Sequence, residues 1–140
     1  MPPTELRLRI VVLHPPPGVA FAVQRGREEL LPPTHATAKE LVFELTVRVA
    51  DRDGAPNFLG PYAQGPVGER FVYVNSGQRA GEAASIWDRR AKIHLKDLDW
   101  PLVKKALAAD AVLETRIEGT GSDGGPACAT VPLLGGWRLV

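Results

Sequence analysis

Cysteine occurs once, at Cys128. A lone thiol excludes an internal disulfide and, beside three scattered histidines (His14, His35 and His94), cannot build a structural zinc site. No apolar run approaches the roughly 20 residues that a membrane-spanning helix needs. The start, Met1 to Glu5, lacks the positive segment and apolar stretch of a secretion leader. An excess of charge of one sign is also missing. Seventeen basic residues against sixteen acidic ones leave a net charge of +1, too weak a field to gather nucleic acid or anionic lipid. The expectation is a cytoplasmic protein with neither nucleic acid nor membrane as partner. Twelve of the basic residues are arginine, which is read as codon usage because no basic run occurs.

Thirteen prolines and fourteen glycines are present, cutting the chain into segments of about six to twelve residues. With 44% apolar and 24% charged residues, the composition is that of a globular protein. Alternation predicts a strand over Leu6 to Leu13, with Leu6, Leu8, Ile10 and Val12 facing one way and Arg7 and Arg9 the other. Leu41 to Val49 repeats the pattern through Phe43, Leu45 and Val47, and Asp53-Gly54 supplies a turn after it. Shorter strands are expected over Phe21 to Gln24, Arg70 to Asn75, Ile86 to Leu95, Val112 to Glu118, Cys128 to Val131 and Trp137 to Val140. The proline- and glycine-rich stretch from Pro56 to Gly68 is expected to be irregular but ordered, anchored by Phe58, Leu59, Tyr62 and Val67. One helix is predicted over Trp100 to Ala109, capped by Asp97 or Asp99, with Pro101 in its first turn. The predicted architecture is one domain, residues 1–140, and mainly β: an antiparallel β-sandwich or partly closed barrel with one short α-helix over about residues 100–109.

Catalytic and cofactor motifs fail on their context. Gly119, Gly121 and Gly124 spell a dinucleotide fingerprint, yet Gly125, Pro126 and a strand follow where a helix must begin, so a glycine-rich hairpin loop is expected. Asp51, Asp53 and Asn57 match part of a calcium loop, but Ala55, Pro56 and Tyr62 occupy positions that need oxygen ligands or glycine. They read as a surface turn. No cofactor and no metal site is expected. Cys128 reads as a small buried residue on a strand. Arg89 is the exception: alternation places it with Trp87, Ala91, Ile93 and Leu95 on the apolar side, where it needs a partner such as Asp123 or Glu118, while Arg90 looks outward.

Pro16 to Val19, Phe21 to Gly26, Asn57 to Tyr62, Gln64 to Pro66, Arg70 to Tyr73, Trp87 to Lys92 and Gly124 to Pro126 with Cys128-Ala129 together resemble a family of small bacterial proteins described as a domain of unknown function. The resemblance spans nearly the whole chain. It implies a bacterial cytoplasmic origin and no particular activity. The favoured expectation for function is a non-enzymatic module that binds a small polar or anionic ligand near residues 56–69 and 119–126, through Gln64, Arg70, Arg89, Arg90 and Asp123. One alternative is a small enzyme with Asp123 or His94 as acid or base and Arg89 stabilising negative charge. The other is an interaction protein, such as a homodimer formed through an edge strand or Trp137.

Overall fold

A computed structural model describes residues 4–80, 83–84 and 86–140; Met1 to Pro3, part of the segment read for a leader, lie outside it. Twelve strands and one helix follow in order: β1 (Thr4–Leu13), β2 (Val19–Arg25), β3 (Glu29–Leu31), β4 (His35–Ala36), β5 (Glu40–Arg52), β6 (Ala55–Leu59), β7 (Phe71–Ala80), β8 (Ala83–Ala84), β9 (Arg89–His94), α1 (Trp100–Ala108), β10 (Leu113–Glu118), β11 (Ala129–Thr130) and β12 (Arg138–Leu139). They form two six-stranded sheets. The first runs β12-β10-β1-β5-β4 with β6 also on β5, and the second runs β11-β9-β7-β2-β3 with β8 also on β7.

The sheets stack as a sandwich because each turns one set of alternate residues inward. Leu6, Leu8, Ile10 and Val12 of β1 meet Leu41 to Val49 of β5 across the antiparallel ladder, and these residues share one core with Val23, Val72, Val74, Ala91 and Ile93 of the second sheet. The expected mainly-β architecture is what the chain adopts, with one short helix among the described residues. Asp99 caps α1 by accepting from the Leu102 amide at 3.0 Å, Pro101 sits in its first turn, and Val103 and Ala106 turn into the core.

Several particulars differ from the sequence reading. Each sheet contains one parallel pair, β1 with β10 and β9 with β11, where antiparallel neighbours were expected. Side-chain alternation is the same for either direction and so does not specify it. Residues Ala55 to Leu59 are not irregular but pair with β5. Asp53 and Gly54, with φ of 52° and 86°, form the two-residue left-handed turn that a tight hairpin uses. Pro56 is tolerated because β6 is an edge strand bonded only to β5. Beyond it Phe58 is buried and Tyr62 packs against the core, whereas Val67 is exposed and anchors nothing. β9 starts at Arg89, three residues later than Ile86. Trp137 is buried, its indole N–H donating to the His94 carbonyl, so it offers no dimer surface.

Candidate functional site

The glycine-rich segment after β10 is a hairpin, as its composition implies. Thr120 bridges Pro126, the Ala127 amide donates to the Gly119 carbonyl at 2.9 Å, and the Gly124 amide donates to that of Gly121 at 3.0 Å. Its base is tied to the end of β1, since the Gly119 amide donates to Leu13 and the Thr120 hydroxyl to the His14 carbonyl. Its tip is tied to the second sheet by Arg89, whose Nη1 donates to the Pro126 carbonyl at 2.9 Å and to Asp123 at 3.1 Å. The anticipated Arg89–Asp123 pair is therefore formed, but the Arg89 side chain is 32% exposed rather than mostly buried. As the first residue of β9, it lies at the rim of the sandwich. Asp123 also accepts from the Gly125 amide at 3.0 Å, and that bond, together with Arg89, holds its carboxyl below the usual aspartate range.

Between this hairpin and the segment after β11 lies a groove of about 500 Å³, within the range of small-molecule sites. Ala127, Val131, Pro132 and Leu134 supply apolar lining, and Thr120, Ser122, Thr130, Glu118 and Asp123 supply hydroxyls and carboxylates. Among the described residues no lysine, arginine or histidine lines it. Glu118 also contacts His14 Nδ1, at 3.1 Å from both carboxylate oxygens. Cys128, expected in the core, is an exposed free thiol on the groove wall. Ala127 takes the buried position, and the strand begins one residue after the cysteine.

The five residues singled out from the sequence do not converge. Arg89 and Asp123 pair at the hairpin. Arg90 lies outside the second sheet, its guanidinium 4.9 Å from the centroid of Tyr73. Gln64 donates to the Gly26 and Pro61 carbonyls at 2.8 and 3.2 Å, fastening one loop to another. Arg70 donates to Gly65, while its Nε is buried without a partner. His94 and Asp123, considered for acid–base chemistry, serve different neighbours, His94 contacting Thr130 and Phe71 and Asp123 contacting Arg89. Thr120, Ser122 and Thr130 were missed because isolated hydroxyls in a glycine-rich stretch carry no spacing signal.

A second polar cluster holds the outer side of the first sheet. Glu114, its side chain 8% exposed, contacts Arg138 at 3.1 Å and Arg9 and Arg116 at 3.3 Å each. Arg9 also reaches Glu44 at 3.4 Å. Burial pushes the Glu114 carboxyl up, but hydrogen bonds from Arg138, Arg9 and Arg116 outweigh it and hold the group below the usual glutamate range. Every oxygen of Glu114 is occupied by protein, so this cluster fastens β1, β10 and β12 together.

The architecture defines a two-sheet β-sandwich with an acidic surface groove beside a glycine hairpin. The chain belongs to the Family of unknown function (DUF5990), whose family model matches residues 6–140. No curated protein and no solved structure matches it. Among the described residues no helix is long and apolar enough to cross a membrane.

Proposed function

We propose that the protein is a binding module for a small polar molecule and that its site is the groove beside the 119–127 hairpin. One observation carries this reading: three hydroxyl side chains and two carboxylates line a largely apolar cavity of about 500 Å³. The charge of the lining selects the ligand. Asp123 is paired with Arg89 and Glu118 with His14, so the hydroxyls of Thr120, Ser122 and Thr130 are the groups left to bind, and a lining with two acids suits a polyol or a small amine better than an anion. The bacterial, cytoplasmic setting belongs to the same reading, supported by an exposed free thiol that suits a reducing compartment.

Thermal unfolding against a panel of small amines, polyols, carboxylates and phosphates tests the reading. A groove ligand at a hundred times its Kd stabilises the folded chain by about 2.7 kcal/mol. Amines or polyols should raise the midpoint, and Ser122→Trp, a substitution at an exposed position on the groove wall, should abolish the shift while leaving the unliganded midpoint in place. A shift that survives Ser122→Trp would place the ligand elsewhere.

A further inference from the structure

We propose a second site, separate from the groove: an anion seat on the outer side of the second sheet that takes a phosphate-bearing small molecule through Lys92, His94 and Lys96. Lys92 and His94 alternate along β9 and share one side at a step of roughly 6.6 Å, and Lys96 follows in the turn after the strand. They line a cavity of about 340 Å³ with Phe71, Gly68 and Glu69. A neighbouring cavity of about 250 Å³ shares Gly68 and Lys96 with it and adds Arg70.

Two observations make this cluster fit for an anion. First, among the described residues none of Lys92, His94 and Lys96 forms a salt bridge, so no protein carboxylate within 4.0 Å competes with an anion for them. Second, two of the groups are held in place by the sheet. Lys92 Nζ sits 4.8 Å from the centroid of Phe71, and the His94 ring meets the same phenyl edge-on at 5.9 Å.

The acids at the site do not cancel this charge. Glu69 is the acid that lines the seat, against two lysines and an imidazole, while Asp99 lines only the second cavity, where it caps α1. The ligand is a compact oxyanion and not a nucleobase, because Phe71 is only 8% exposed and Tyr73 is covered by Arg90. No flat aromatic face is left to stack a base. Lysine ammonium groups recognise phosphate as point charges, without the planar fork that arginine gives.

Titration calorimetry at low ionic strength, with inorganic phosphate in one arm and glycerol phosphate in the other, tests the seat. Saturable binding in either arm is expected, and tighter binding in the second arm would identify an ester as the ligand. The double variant Lys92→Met/Lys96→Met should weaken binding about tenfold or more, the loss of roughly one charge-assisted hydrogen bond. Arg48→Met, at an exposed position on the other sheet, should leave binding unchanged. If the double variant does not fold, Lys96→Gln at an exposed position serves in its place, with a several-fold loss expected. Absence of saturable binding, equal affinity in a folded Lys92→Met/Lys96→Met variant, or an equal loss in Arg48→Met would overturn the proposal. Because no groove residue is altered, failure here leaves the groove reading standing.

Discussion

Replacing Glu114 by glutamine probes how the outer side of the first sheet is held. The glutamate accepts from three arginines while its own side chain is 8% exposed, and the arginines are 30%, 44% and 53% exposed. Removing one member of a fully buried ion pair costs about 3–5 kcal/mol. Here the stranded charges reach solvent, and glutamine can still accept hydrogen bonds, so the expected loss is about 2 kcal/mol, between the buried and surface limits. At about 3–4 °C per kcal/mol for a chain of this size, the melting midpoint should fall by roughly 6–8 °C.

The same group sets an acid limb. Its folded pKa lies below the usual value of 4.5, so the unfolded chain binds the proton first as pH falls. The stabilisation is complete above the unfolded value and is lost as pH falls through the folded one. Urea unfolding of the wild type and Glu114→Gln from pH 7 down to pH 3 should show a gap at neutral pH that closes below about pH 4. A variant within 0.5 kcal/mol of the wild type at pH 7, the usual scatter of a surface change, or a gap that widens in acid, would refute the reasoning.

Arg89→Met should lose roughly 1 kcal/mol, about one hydrogen bond to a charged donor, and Arg90→Met less, because Arg90 makes only a contact with the Tyr73 ring; equal urea midpoints for the two variants would contradict the clamp assigned to Arg89. Gly77→Ala should be among the most damaging small substitutions. A Cβ there would lie 1.8 Å from the Ile86 carbonyl oxygen, so the backbones must separate at a cost of about 1–3 kcal/mol, readable as a lowered melting midpoint. Asp99→Ala should remove the cap of α1 and cost about 1 kcal/mol in the same assay.

What could be read from the sequence follows from what alternation encodes. The long strands β1 and β5 carry five inward residues each or nearly so, and both were placed by that pattern alone. The helix was legible because Asp99, Pro101 and the Val103/Ala106 face agree with one another. Strand direction was not legible. The three-arginine cluster on Glu114 depends on β10 lying parallel to β1 in the register that sets Arg9 beside Glu114, and no local signal specifies a pairing over that separation. The same limit hid the groove, which is assembled from the 119–127 hairpin and the segment after β11. Arg89 shows the limit from the other side. Its partner Asp123 was identifiable as a nearby acid in a glycine-rich loop, but its exposure depended on where β9 starts, which alternation alone does not fix.

The most direct test of the groove reading is amide chemical-shift mapping with the strongest amine or polyol from the thermal panel. The account predicts saturable shifts centred on residues 118–134 and on Arg89, the residue clamped to the hairpin, with Lys96 and residues 66–70 unmoved. Shifts centred on any other part of the sandwich, or none on the hairpin at saturating ligand, would contradict it.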